Sequence, residues 1–354
     1  MKVAIFVIIA FSLLLMSCGR STAKDENFRA YEDIIDNAKP IAFGEDNVVY
    51  VFYDQKGKAE FGDALRSIIE RDINLVYKEK YFHMEVGDIA DIANLSKYKN
   101  LIFVGDLSSN DKVSAYMRQS LAPEFIQRVQ NSSGDMFIAK NHWVRDQIVL
   151  YLLGSDHEKL MHITQVQQHQ IFELLLKRYT QRLAYQAYLT KVIPESFFDA
   201  YPFSLKIPEN YRLFSNDKVG NFLSFIYRAR MQNREIPDKY ISVYYEDMEL
   251  NKVDEAWMLA TRKRIGEKYF EGDEFDPQSL RREKFSFAGF EGYRIIGAWK
   301  NMKHHIGGSF QAFGFWHESS NKAFFIDNSV YFPAGDKLPS MLEIYMISST
   351  LKVK

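Results

Sequence analysis

The sequence predicts an α+β protein built as two sequential domains, each a mainly antiparallel sheet packed by helices. Three observations carry that expectation. Short apolar runs bounded by Gly, Asp, Asn and Lys alternate with amphipathic stretches, in the order strands, helix, strands. Pro194, Pro202 and Pro208 fall together where no steady period holds, as a domain linker does. The 354 residues are 47% hydrophobic and 15% aromatic, enough for two ordinary cores.

The chain opens with Lys2, an apolar run over Val3–Met16, and then Ser17-Cys18. A basic residue, a short apolar core and a small residue before the cut form a secretory signal peptide. The run falls short of the ~20 apolar residues a membrane-crossing helix needs. Residues 1–17 therefore read as a signal peptide. Leu15-Met16-Ser17-Cys18 resembles the bacterial lipobox, and Cys18 is the only cysteine in the chain. A single thiol cannot close an intramolecular disulfide or build a cysteine-rich metal site. The resemblance implies a mature chain beginning at Cys18 and carrying acyl chains. Each buried methylene contributes ~0.8 kcal/mol, so two or three chains make the attachment durable. Residues 18–27 are small and polar and read as a lipidated flexible tether. Gly19 is not the aspartate that often marks inner-membrane retention in enteric bacteria, which favours an outer-membrane address; the body is expected to face the periplasm, although Gly19 does not decide the face.

The N-terminal domain is expected over 28–192. Phe28–Ala38 is an acidic amphipathic segment closed by Pro40. Val48–Tyr53 is a buried strand with a turn after it, and Ala59–Asp72 places Phe61, Leu65, Ile68 and Ile69 at helical spacing. Tyr81–Val86 and Asn100–Val104 read as strands. Lys112–Val129 is helical, with Pro123 restarting or kinking it. Met136–Ala139 and Gln147–Leu153 read as a strand pair, and Gly154-Ser155-Asp156 caps a long helix over His157–Leu189.

The C-terminal domain is expected over 193–354. Tyr211–Phe214, Phe222–Arg228 and Tyr240–Tyr245 are strand-like, and Val253–Phe270 is an amphipathic helix. Three strands follow in series, Tyr293–Trp299, Phe310–Trp316 and Ala323–Phe332, before a closing helix over Leu338–Leu351. The chain contains no internal sequence repeat.

The final segment carries a resemblance. Gly297-Ala298-Trp299, Ile306-Gly307-Gly308-Ser309-Phe310 and Val330-Tyr331-Phe332-Pro333-Ala334-Gly335, with Glu343 in the last helix, resemble a family of bacterial lipoproteins common in Bacteroidetes that carries a domain of unknown function. Leu65-Arg66, Asn100–Val104 and Ile207-Pro208-Glu209-Asn210-Tyr211 match it in order. Ile306, Ser309, Ser329 and Phe332 depart from its pattern. The second half also resembles the Mog1/PsbP type of α+β sandwich. Neither resemblance supplies catalytic residues, and fold alone does not give function.

Charge is balanced, with 45 basic and 46 acidic residues, so no basic stripe points to nucleic acid. His157-Glu158-Lys159-Leu160-Met161-His162 fails as a zinc-protease motif, because five residues turn the second histidine about 140° away. Glu158, His162, His169 and Glu173 share one helical stripe opposite the apolar face, and a solvated surface is its simpler reading. His304-His305 reads as a surface turn. Ser309 lacks the second glycine of a nucleophile elbow and reads as structural.

The expectation is therefore a non-enzymatic, lipid-anchored envelope protein that binds or scaffolds another envelope component, with no catalytic residue, cofactor or metal. Its partners are membrane lipid, through acylated Cys18, and an envelope protein or small ligand, not nucleic acid. Two alternatives stay open. One is a binding module for a small apolar or carbohydrate ligand, with Trp299, Phe313, Phe315 and Trp316 lining a pocket. The other is a hydrolase whose site is assembled from distant residues.

Overall fold

The computed structural model describes residues 38–55, 59–132 and 134–354. The signal peptide, Cys18 and its tether, and the acidic segment as far as residue 37 lie outside the described residues.

In the first half the strands are β1 (Val48–Phe52), β2 (Asp72–Asn74), β3 (Lys78–Lys80), β4 (His83–Val86), β5 (Asn100–Asp106), β6 (Asp135–Lys140) and β7 (Ile148–Gly154). The helices are α1 (Ala59–Ile69), α2 (Ile92–Leu95), α3 (Lys112–Ser120), α4 (Pro123–Gln130), α5 (His157–Val166) and α6 (Gln168–Ala187). Local chemistry sets several boundaries. Asp111 accepts from Ser114 N at 2.8 Å to start α3, and Pro123 opens α4 at a position where its missing N–H costs nothing. Asp156 accepts from Lys159 N at 2.9 Å and caps α5, as expected.

The helix expected over His157–Leu189 is two helices that break at Gln167. No Gly or Pro marks the break. Helix α5 packs on β7 and β5, whereas α6 leaves the sheet after its contact with β7 to pack mainly on α1 and on the last helix of the chain, and one straight rod cannot follow both courses.

The sheets are mixed and mostly antiparallel over the chain, in the α+β arrangement expected. The mixing lies in the first sheet, ordered β4-β1-β5-β7-β6. Its pairings β1–β4, β1–β5 and β5–β7 are parallel, and only β6–β7 is antiparallel. That refines the antiparallel sheet expected for this half. The cause is the helical crossovers: α1 covers one face, in the core around Phe61 and Leu65, and α3 and α4 cover the other, around Phe103 and Tyr151. Every residue of β5 and β7 is buried, as a parallel strand covered on both faces must be.

The second half contains β8 (Phe203–Ser204), β9 (Arg212–Asp217), β10 (Phe222–Tyr227), β11 (Asp238–Asp247), β12 (Glu274–Phe275), β13 (Arg281–Phe287), β14 (Phe290–Asn301), β15 (Ile306–His317), β16 (Lys322–Tyr331) and β17 (Lys352–Val353). Helix α7 spans Glu255–Tyr269 and α8 spans Leu338–Ser348. An antiparallel sheet runs β12-β14-β15-β16-β11-β10-β9, with β13 pairing β14. Alternate residues serve two cores. Phe313, Phe315, Phe324 and Ile326 pack toward α8, and Phe310, Ala312 and Phe325 pack toward α7. Strand β13, rich in Arg, Lys and Glu, was not expected.

The halves are bound through α8. Ile73 and Leu75 of the β2–β3 hairpin lie in the second-half core with Leu338 and Met341. The buried Glu79 carboxylate of β3 accepts from Lys337 N at 3.0 Å and Leu338 N at 2.8 Å. Helix α8 has no side-chain cap of its own, so a residue from the other end of the chain satisfies its first turn.

Candidate interaction site

The aromatic residues singled out from sequence do not converge. Trp299 is 5% exposed and packs in the core under α7, whereas Phe313 (0%) and Phe315 (1%) face the opposite core under α8. Phe313 stacks on Phe287 at 4.3 Å, and Phe315 stacks on Phe290 at 4.6 Å. Trp316 is half-buried, its indole N–H donating to Met248 O at 2.7 Å. The pocket lined by these four rings is therefore corrected by the structure: strand alternation sends them to different faces, and three fill the interior. Ser309 is wholly buried on the α8 side. Glu158, His162, His169 and Glu173 are exposed, and the break at Gln167 divides them between two helices. His304 lies in an exposed turn against Glu271 at 2.9 Å. Among the described residues no cluster of three or more His, Asp and Glu side chains is placed to hold a metal.

Buried charge serves the fold. Arg182 of α6 donates to Asp146 Oδ1 at 2.8 Å and to Asn100 Oδ1 at 2.9 Å, tying the helix to the sheet. Arg262 of α7 lies 3.0 Å from Asp327 of β16, both almost fully buried. Burial outweighs Arg262 at that carboxyl and pushes it up to about 6.

The surface is different along β9, the last strand of the large sheet. Its inner side is tied down. Tyr211, just before the strand, is buried, and its hydroxyl donates to Glu343 Oε1 at 2.8 Å. Lys239 Nζ donates to the same oxygen at 2.5 Å. Tyr201 donates to Asn216 Oδ1 at 2.7 Å. At the far end Asp217 accepts from Lys268, Tyr269 and Gly220 N, each at 2.8 Å, and these donors hold its carboxyl well below the usual carboxylate range.

Its outer side is open. The β9–β10 register steps from Ser224↔Ser215 to Phe225↔Leu213, which makes Phe214 the extra residue of a bulge. Phe214 leans on Phe270 at 5.3 Å and on Tyr240 at 5.2 Å, yet stays 39% exposed, and Leu213 stays 48% exposed. Arg212, Leu213, Phe214, Ile226, Arg228 and Arg230 line a cleft of about 510 Å³. Arg228 is fixed by Asp238 at 2.7 Å and by the Tyr240 hydroxyl at 2.9 Å. That hydroxyl is pushed up to about 12, first by burial, so it remains a neutral acceptor and donor. Among the described residues no carboxylate pairs with Arg212 or Arg230.

Other sheet edges are closed differently. At β4, Met84 N donates to Glu70 Oε1 at 2.9 Å, so a side chain from the α1 end occupies that edge. Strand β13 opens with Arg281-Arg282-Glu283-Lys284, where Glu283 already accepts from Arg294 Nε at 2.7 Å. Strand β9 instead offers backbone beside exposed apolar side chains and unpaired guanidinium groups. Sequence reading placed a strand here but missed the site. The one available signal was the adjacency of Leu213 and Phe214, which breaks the alternation of a half-buried strand.

Residues 42–188 match a family described as Domain of unknown function (DUF8532), and residues 191–350 match Domain of unknown function (DUF4837). No curated protein matches the chain. Among solved structures the chain is similar to the Ran-binding protein Mog1p of Saccharomyces cerevisiae, at 9% identity over 43% of this chain and 90% of that one, with a TM-score of 0.28. It is also similar to LpqN of Mycobacterium tuberculosis, described as involved in cell envelope biogenesis, at 12% identity over 43% of this chain and 83% of that one, with a TM-score of 0.27. At these scores both likenesses are weak.

Proposed function

We propose that this chain is a non-enzymatic, lipid-anchored protein of the cell envelope that binds another envelope component through the open edge of β9. The single observation behind this reading is the cleft along that edge, where exposed Leu213 and Phe214 lie beside Arg212 and Arg230. Exposed apolar surface next to unpaired charge on a rigidly held strand favours association, because little ordering entropy remains to be lost on binding. The anchor half rests on the apolar leader and Cys18 in its lipobox-like setting. Acylation there would hold the body at the outer membrane, facing the periplasm. Among the described residues no helix is long and apolar enough to cross a membrane.

The test is a crosslinked pull-down from membranes, comparing the native chain with Arg212→Glu/Arg230→Glu. Both arginines are exposed, so the variant should fold and fractionate normally. The reading expects a reproducible crosslinked species that the variant loses. No reproducible species, or one that survives the charge reversal, refutes it. Cys18→Ala separately tests the anchor: the protein should leave the membrane fraction.

A further inference from the structure

We infer that the occupant of this cleft is an extended, acidic segment of a partner protein, lying along β9 as an added strand with carboxylates at both of its ends. The inference rests on the reading of β9 as the interaction surface and adds the chemistry of what binds there.

Charge sets the first part. The stretch from Arg212 to Asp238 carries five cationic side chains against three acidic ones, in a chain whose net charge is −1. Two of those acids are already engaged, Asp217 with Lys268 and Asp238 with Arg228. Arg212, Lys218, Arg230 and Arg234 are exposed, and among the described residues no carboxylate pairs with any of them. Arg212 opens the strand and Lys218 follows its end, about 20 Å apart at the rise of an extended chain. Uncompensated cations at both ends of one strand call for an anion of matching length.

Backbone sets the second part. An edge strand presents N–H and C=O groups that another extended backbone satisfies, and side-chain pockets beside it select the sequence. Leu213 and Phe214 lie between Arg212 and Lys218 along β9, with Ile226 across from Arg212 in the cleft, so the added strand needs an apolar side chain between its carboxylates. A lipid surface fits less well. It offers no backbone partner, and the exposed Val219 and Met231 lie beyond opposite ends of β10, so they do not form one inserting patch. In an antiparallel β9–β9 pair of two copies Arg212 would meet only Asp217, which Lys268 already holds, and Arg230 and Arg234 of both copies would stay without an anion.

The experiment uses the full chain purified in detergent. The probes are a short blocked peptide with glutamates at both ends and valines and threonines between, its counterparts with glutamine and with lysine, and phosphatidylglycerol vesicles. Binding is read by fluorescence anisotropy at low and high salt, and its location by amide hydrogen exchange. The expected result is glutamate-peptide binding at least about tenfold tighter than glutamine-peptide binding, weakened by salt. It should bring slowed exchange over Arg212–Asp217 and be lost in Arg212→Gln/Arg230→Gln. Equal binding of the glutamate and glutamine peptides, protection elsewhere, or arginine-dependent binding of vesicles but of no peptide overturns the inference. If the crosslinked species still depends on Arg212 and Arg230 while the acidic peptide fails, the surface stands and the acidic strand falls.

Discussion

Replacing Glu79 with alanine is the sharpest probe of how the two halves hold together. Its carboxylate accepts two backbone N–H bonds, at 3.0 and 2.8 Å, from the first residues of α8. Hydrogen bonds to a charged group contribute about 1.5–3 kcal/mol each before the cost of desolvating the acceptor. That cost is substantial here, since burial outweighs the N–H donors and raises the Glu79 carboxyl above its ordinary range. The truncation therefore removes both a gain and a penalty. Water reaching the vacated site would recover part of the lost bonding. The net loss works out at about 2 kcal/mol, near the upper end for a helix N-cap. For a chain of this size that corresponds to roughly 3 °C in Tm. The assay is thermal unfolding, with hydrogen exchange at Lys337 and Leu338 as the local readout. Glu79→Gln should lose about half as much, because one oxygen still accepts. A Tm within about 1 °C of the native chain, with unchanged protection at Leu338, would refute the claim that α8 is capped from the opposite half.

Other outcomes follow from the same geometry. Phe313→Ala should destabilise by about 3–5 kcal/mol in urea unfolding, because the ring is wholly buried against Phe287; a near-neutral result would return it to the surface. Asp327 has a folded pKa of about 6, above the ordinary ~3.9, so the folded state binds its proton first. Its contribution to stability is thus gained on acidification from pH 7 toward 5 and lost as pH rises through 6. Asp327→Asn, neutral at every pH, should flatten that slope. A slope equal to that of the native chain contradicts this. Below about pH 4 the depressed carboxyls of Asp217 and Glu70 turn the trend around, and stability should fall. Tyr211→Phe removes the hydroxyl bond to Glu343 and should cost about 1–2 kcal/mol, with faster amide exchange at the start of β9; unchanged exchange would mean that this contact does not hold the strand.

Much of the fold was legible because single segments declare themselves. Pro123 opens α4, Asp156 caps α5, and the apolar runs of β14, β15 and β16 stand between clear turns. The high aromatic content reads correctly as sheet core, seen in the ring stacking of Phe287, Phe313, Phe315 and Phe324. What escaped depends on contacts between distant segments. The break at Gln167 has no local breaker and answers to two different packing partners. The continuous apolar runs of β5 and β7 do carry the sign of parallel, doubly covered strands, but direction is set by crossovers that only the assembled sheet reveals. Strand β13 looks like loop because an edge strand tolerates charge. The cleft draws Arg212 from one strand, Ile226 from the next and Arg230 from the loop beyond, with no fixed spacing to betray it.

The proposal that β9 is the working surface is tested most directly by placing a photocrosslinking amino acid at Leu213 in living cells, with Val166, exposed on the other half, as control. The account predicts a discrete adduct from position 213 that disappears when Arg212 and Arg230 are reversed in charge, and none from position 166. Equal labelling at both positions, or none at 213 in a chain that is folded and membrane-bound, would contradict it.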